Sequence, residues 1–187
     1  MRVVSGSLKG RALVTPDGRD TRPTSDRARE SLFNVIAHAS WAPPLAGARV
    51  MDLFAGSGAL GFEAMSRGAK FCLFVENAAP ARGAIRTNIE TFQLFGNTRI
   101  HRRSAIDLDE KPAGVGDPFD IAFLDPPYNK GLGPKALDEL KTGGWLAPDA
   151  LAVLEVGKDE TSDLPGWEIL DERIYGAAKV LFLKASD

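Results

Sequence analysis

Cysteine is almost missing from this chain. Cys72 stands alone, so no internal disulfide can form and no cysteine-based metal cluster is available. Histidine is nearly as scarce. His38 and His101 have no cysteine pair nearby, which argues against a zinc site. No apolar run approaches the roughly 20 residues that a membrane-crossing helix needs. Met1-Arg2-Val3-Val4-Ser5-Gly6 lacks the apolar core of a secretory signal. A large excess of one charge is also lacking: 23 Lys and Arg face 25 Asp and Glu, so the net charge of −2 names no polyanionic partner. The expectation is a cytoplasmic monomer without metal or membrane contact. What is present is 187 residues at 44% hydrophobic content, enough to bury one core without a staple.

Charge distribution says more than its total. Residues 1–36 carry seven basic residues against four acidic ones, while the remainder is net acidic. A basic arm on an acidic body suggests a polyanion partner, although charge runs usually only solvate a surface. Residues 2–5 and 10–14 read as two short strands around Gly6-Ser7-Leu8-Lys9-Gly10. Residues 15–24 read as a loop, with Pro16, Gly18 and Pro23. Thr24 or Ser25 can cap a helix reaching about Ala39. Its apolar stripe is Ala28, Leu32, Val35 and Ile36, with Arg27 and Arg29 off the stripe.

After Pro43-Pro44 and Gly47 the pattern alternates. Strands read at Arg49–Phe54, Lys70–Glu76, Thr98–Arg102, Phe119–Leu124 and Leu151–Val156, with helices near 58–67, 78–92 and 132–141. Val50–Phe54 and Ile121–Leu124 are nearly continuous apolar runs, as parallel strands buried on both faces should be. Strand-helix alternation predicts a doubly wound, mostly parallel α/β sheet. Glu168–Ile174 and Ala178–Lys184 add a closing hairpin, for seven strands. We divide the chain into a hairpin-and-helix extension, residues 1–40, and a main domain, residues 41–187.

Gly56, Gly58 and Gly61 fit G-x-G-x-x-G between the first buried strand and the helix after it. Such glycines let the backbone turn tightly and approach a ligand closely, but the motif alone serves many adenosyl ligands. Two carboxylates narrow the choice. Asp52, just ahead of the glycines, would repel a pyrophosphate and attract a cation. Glu76 ends the next strand, 20 residues after Gly56, where a carboxylate can accept both ribose hydroxyls. A ligand with an adenosine-like ribose, a positive charge and no pyrophosphate is S-adenosylmethionine. The bland alternative is a structural glycine turn with two solvated carboxylates. Candidate cofactor residues are Asp52, Phe54, Gly56, Ser57, Gly58, Gly61, Glu76, Asn77, Ser104 and Ala105.

Asp125-Pro126-Pro127-Tyr128 follows the strand Phe119–Leu124. The prolines remove two backbone donors and stiffen the turn, leaving the Pro126 carbonyl free. That carbonyl and the Asp125 carboxylate are two acceptors at fixed spacing, suited to the two N–H donors of a planar amine. Tyr128 offers a flat face for an exposed base. The competing reading is a rigid turn with Tyr128 packed in the core. The carboxyl end of a strand in such a sheet is where ligands bind. Asp125, Pro126, Pro127 and Tyr128 are therefore the candidate catalytic residues.

These motifs resemble class I S-adenosylmethionine-dependent methyltransferases, with a Rossmann-like sheet. A narrower resemblance covers almost the whole chain: the RsmD-type 16S rRNA guanine-N2 methyltransferases. It is carried by Gly10-Arg11, the run Arg22-Pro23-Thr24-Ser25-Asp26-Arg27-Ala28-Arg29-Glu30-Ser31-Leu32-Phe33-Asn34, Asp52–Gly61 and Asp125–Tyr128. The resemblance implies methyl transfer to a guanine N2 of 16S rRNA, in the small ribosomal subunit or its assembly intermediate. It also implies an RNA-binding N-terminal hairpin, for which Lys9, Arg11, Arg22, Arg27 and Arg29 are candidates. Relatives place Asp or Asn before an Ala after the third strand, against adenine; here Ser104-Ala105 stands there.

Rival readings are a DNA adenine-N6 or cytosine-N4 methyltransferase, a methyltransferase of protein glutamine amides, a nicotinamide-dependent oxidoreductase and a non-catalytic RNA-binding assembly factor. Asp52 and the Pro-Pro element oppose the oxidoreductase. The intact clamp and loop oppose a non-catalytic role. Cys72, inside an apolar strand, reads as a buried small hydrophobe, against a covalent cysteine route to ring-carbon methylation. Trp41, Trp145 and Trp167 read as packing residues. Arg102 and Arg103 read equally as RNA contacts or as an exposed strand end.

Overall fold

A computed structural model of the chain describes residues 1–16, 25–161 and 163–186. Its strands are β1 (Arg49–Leu53), β2 (Phe71–Val75), β3 (Thr98–His101), β4 (Phe119–Leu124), β5 (Leu146–Gly157), β6 (Trp167–Tyr175) and β7 (Ala178–Ala185). The helices are α1 (Asp26–His38), α2 (Ala59–Ser66), α3 (Ala79–Phe92) and α4 (Leu132–Thr142). The strands form one sheet in the order β3-β2-β1-β4-β5-β7-β6. β1 to β5 are parallel to one another, and β7 enters antiparallel between β5 and β6.

Period-two alternation sends successive side chains to opposite faces, and both faces are covered. Val50, Cys72, Phe74, Ile121, Phe123 and Val153 join Leu32, Phe33 and Ile36 of α1, Phe62 and Met65 of α2 and Ile85 and Ile89 of α3. Met51, Leu53, Leu73, Ala122 and Leu154 face Leu137 and Leu140 of α4 with Trp145. Cys72 is fully buried; burial, then the Asp52 charge, pushes its thiol well above the ordinary value, so it is inert. Trp145 and Trp167 are buried, and Trp41 packs on Phe182 at 5.3 Å between ring centroids.

Three expectations change. β5 starts at Leu146 rather than Leu151, because pairing begins at Phe119↔Leu146 and shifts before Ile121↔Leu151. Asp149 in that stretch has φ 63°, and Pro148 lacks an N–H, so the segment reads as a loop in sequence. Residues 2–5 and 10–14 run antiparallel but form a single bridge, Arg2↔Ala12, with flanking backbone bonds rather than a ladder. The physical reason is that Val4 and Ser5 give their N–H groups to the Glu63 carboxylate at 2.9 and 3.1 Å. On α1 the buried face holds Arg29, Leu32, Phe33 and Ile36, while Ala28 and Val35 are only half-buried. Ser25 caps α1 by accepting the Ala28 N–H at 3.1 Å; Thr24 lies outside the described residues.

Candidate active site

The chain order turns back between β1 and β4: β2 and β3 lie to one side of β1, β4 and β5 to the other. Ligands bind in the crevice at the carboxyl ends of strands at such a switch point. The glycine loop leaves β1 there and Asp125-Pro126-Pro127-Tyr128 leaves β4. Their roots are adjacent: Leu53 pairs with Leu124, and the Asp125 N–H donates to the Leu53 carbonyl at 3.4 Å.

The loop is held open by its surroundings. Phe54 has φ 57°, a conformation that a bulky side chain adopts only under constraint. Gly56 (φ 58°) faces open space, since a Cβ there would meet nothing within 4 Å. Gly61 is required for the opposite reason: a Cβ would lie 2.4 Å from the Phe74 ring and 2.7 Å from the Cys72 sulfur. Gly58, with φ 83°, precedes α2 as its N-cap.

Both carboxylates brace this loop. Asp52, 2% exposed, accepts the Gly61 N–H at 3.0 Å. Burial, opposed by that hydrogen bond and assisted by the nearby Glu76 charge, pushes its carboxyl up to about 8. Its influence on a ligand therefore comes from beneath the loop. Glu76, half-buried, accepts the Gly56 N–H at 2.8 Å with Oε1 and the Ala78 N–H at 3.0 Å with Oε2. A carboxylate has about four acceptor positions, so it can still take ribose hydroxyls. Asn77 is exposed, and its carbonyl accepts the Arg82 guanidinium at 2.7 Å. Ser104 accepts the Ile106 N–H at 3.3 Å, and Ala105 is buried.

In the second element Pro126 is buried, Pro127 exposed, and Asp125 and Tyr128 half-buried. The Tyr128 hydroxyl donates to Glu155 of β5 at 3.3 Å, and its ring lies against Gly157. Glu155 thus orients the aromatic ring that the sequence singles out.

The basic candidates divide. Lys9, Arg11 and Arg27 are exposed, and Arg22 lies outside the described residues. Arg29 is a correction: it is fully buried, paired with Asp26 at 2.8 Å and Glu63 at 3.5 Å, and donates to the Arg2 carbonyl. It fastens the hairpin to α1 and α2 and offers no surface to a phosphate. The hairpin itself lies along the helices. Its tip meets the last residue of α2, where Ser66 Oγ accepts the Leu8 N–H at 2.9 Å. Gly6 (φ 85°) has no room for a Cβ, which would fall 2.0 Å from the Ser66 carbonyl oxygen.

Sequence reasoning missed Glu63, Ser66 and Asn88, all buried. Asn88 accepts the Val14 N–H at 2.9 Å and donates to the Val14 carbonyl at 3.0 Å and the Ser57 carbonyl at 3.2 Å. It ties the end of the hairpin to the glycine loop. The available signal was a polar side chain amid the apolar stripe Ile85, Ile89 and Phe92.

A glycine loop braced by two carboxylates, beside an acidic Pro-Pro-Tyr turn in this sheet order, defines a class I methyltransferase. Comparisons narrow the class. The family model described as "Conserved hypothetical protein 95" matches residues 1–184. The Ribosomal RNA small subunit methyltransferase D of Escherichia coli (strain K12) is 36% identical over 180 residues, covering 94% of this chain and 85% of that protein. The protein of the same name from Haemophilus influenzae is 34% identical over 178 residues, covering 94% and 89%. The solved structure of yhhF from Escherichia coli superposes with a TM-score of 0.83 at 33% identity, covering 100% of this chain and 98% of that one. The chain belongs to this family of ribosomal RNA small subunit methyltransferases.

Proposed function

We propose that this enzyme transfers a methyl group from S-adenosylmethionine to the exocyclic N2 of a guanine in 16S rRNA, within the small subunit or its assembly intermediate. The observation that carries the reading is the adjacency of the two elements: the Asp125 backbone bonds to Leu53, one residue before the glycine loop begins its strained turn at Phe54. A cofactor cradled at Gly56 and Glu76 and an amine held at Asp125 would therefore lie side by side.

The residues fit the cofactor. The open space over Gly56 admits it, Glu76 is oriented by two backbone N–H groups to take ribose hydroxyls, and Asp52 lies below the loop, protonated until a cationic ligand favours its ionised form. The resemblance would set Ser104 and Ala105 on the adenine side, where the Ser104 hydroxyl, which already accepts the Ile106 N–H, could make one hydrogen bond. When bound, S-adenosylmethionine supplies an electrophilic methyl group on a sulfonium. The chain's own part is positioning. The Asp125 carboxylate and the Pro126 carbonyl accept the two N–H groups of the amine. They hold its nitrogen with the lone pair drawn out of the ring, an orientation effect. Asp125 also stabilises the positive charge that develops on that nitrogen. Tyr128, steadied by Glu155, gives the unstacked base a face.

The decisive test supplies labelled S-adenosylmethionine and small-subunit particles from cells lacking the enzyme, followed by nucleoside analysis. Label in N2-methylguanosine is expected. Label in N6-methyladenosine, N4-methylcytidine or protein would overturn the guanine reading. In the same assay Asp125→Ala should lose roughly 100-fold or more in turnover while keeping S-adenosylhomocysteine affinity within a few fold. Near-normal turnover would remove Asp125 from the clamp.

A further inference from the structure

We propose that the outer face of α3, flanked by Arg11 on one side and by Arg82 and Arg86 on the other, is a second docking surface for an RNA phosphodiester backbone. This rests on the rRNA substrate proposed above and extends the footprint away from the methylation pocket.

Charge is the first ground. From Ala64 to Ile106 the chain has seven basic residues and two acidic ones. Of the basic residues, Arg67 and Arg103 are paired with Glu63 and Asp109 just outside that stretch, leaving five against two; residues 151–187 have eight acidic and four basic. Because β3 and β6 are the two edges of the sheet, the imbalance becomes a polarity across the molecule. The two acids do little to cancel it on α3. Glu76 is turned into the glycine loop, which leaves exposed Glu90, four residues after Arg86, as the one acid of this helix face against Arg82, Arg86 and Arg11.

Shape is the second ground. Arg82 and Arg86 are four residues apart and share one flank of α3. Between the flanks the exposed ridge is low. A Cβ on Gly83 would meet nothing within 4 Å, and Thr87 folds its hydroxyl back to the Gly83 carbonyl at 3.1 Å. On the other flank Arg11 donates to the Thr91 carbonyl at 3.2 Å, with its guanidinium 5.2 Å over the Phe92 ring. That fixes the group while leaving further N–H donors exposed. Arg82 and Thr91 are nine residues apart, about 14 Å along the helix, long enough for several phosphates. Beyond the helix end Phe95 is 66% exposed and offers a ring on which a base or ribose can stack.

The test uses full-length protein and small-subunit particles from cells lacking it, with binding measured at several salt concentrations. Arg82→Ala combined with Arg86→Ala should weaken binding and flatten the log–log salt dependence by roughly one unit per contact. Arg86→Ala alone should give about half that effect with S-adenosylhomocysteine affinity unchanged. Lys135→Ala, on α4 across the sheet, should leave the slope as it is. An unchanged slope in the double variant, with wild type binding normally, overturns the α3 surface and leaves the substrate reading intact. Failure of wild type to bind particles overturns both. A changed sedimentation state with an unaltered slope assigns the face to a protein contact and also overturns the proposal.

Discussion

Asp52 and Glu76 are both carboxylates at the end of a buried strand, yet their surroundings divide their roles. Glu76 accepts two backbone N–H groups at the loop rim, where a ribose would lie. Glu76→Ala should weaken S-adenosylhomocysteine binding by about 1.5–3 kcal/mol, the range for a hydrogen bond to a charged group; calorimetry that finds wild-type affinity in a folded variant removes the ribose assignment. Asp52 is buried, and its carboxyl is pushed up to about 8. The folded protein therefore holds a proton that the unfolded chain has released above about pH 4. Stability from this group is full below pH 4 and falls as pH rises towards 8, by up to about 1.4 kcal/mol per pH unit. A cationic ligand above the loop favours the ionised form, so binding S-adenosylmethionine should expel that proton. Affinity should rise as pH increases towards about 8, and Asp52→Asn should abolish the rise. Titration in buffers of different ionisation enthalpy measures the proton directly; zero release in wild type rules the linkage out.

At the scale of elements, the hairpin, α1 and α2 meet at one buried charge cluster. Glu63 binds Arg29, Arg67 and the Val4 and Ser5 N–H groups, and Ser66 secures the hairpin tip. Glu63→Ala would strand Arg29 without its buried partner. By the usual loss for half of a buried pair this costs about 3–5 kcal/mol, or roughly 6–20 °C in melting temperature for a domain of this size. A drop under 2 °C or so would show that Asp26 suffices for Arg29. The same cluster explains what could be read in advance. The strand-helix alternation and the loops at Gly56 and Asp125 are local patterns, set by apolar runs and by Gly and Pro. Arg29 is decided by Glu63, 34 residues away, and no periodicity within α1 shows that an arginine can replace a leucine on its buried face. Asn88 was hidden similarly, because Val14 and Ser57 converge on it only when α3 is in place. Phe54 carries no sequence mark of its positive φ.

For the whole molecule, the change of composition near residue 40 does not coincide with a change of core. Val3 and Leu13 of the hairpin and Leu32, Phe33 and Ile36 of α1 belong to the same cluster as Val50, Phe62, Phe74 and Phe123. The Phe33 and Phe123 rings lie 5.3 Å apart, so α1 covers β4 directly beneath the candidate amine clamp. Five buried side chains at about 1.5–3 kcal/mol each amount to about 7–15 kcal/mol, comparable to the whole stability of an ordinary domain, about 5–15 kcal/mol. Removing residues 1–40 also deletes Arg29, Val4 and Ser5 from Glu63, leaving it Arg67, and Val14 from Asn88, leaving it Ser57, and it uncovers one face of β1 and β4. The prediction is that residues 41–187 alone fail to make a cooperative unit: dye-detected apolar surface should rise, the thermal transition should broaden or vanish, and S-adenosylhomocysteine should no longer bind. The control is full-length protein cleaved between residues 17 and 24, which keeps every described contact and should retain its cofactor affinity. A truncated chain that melts cooperatively and binds the cofactor would mean that the extension is an independent attachment. RNA recognition and cofactor binding could then be separated by simple deletion, which the hairpin–Asn88–Ser57 tie argues against.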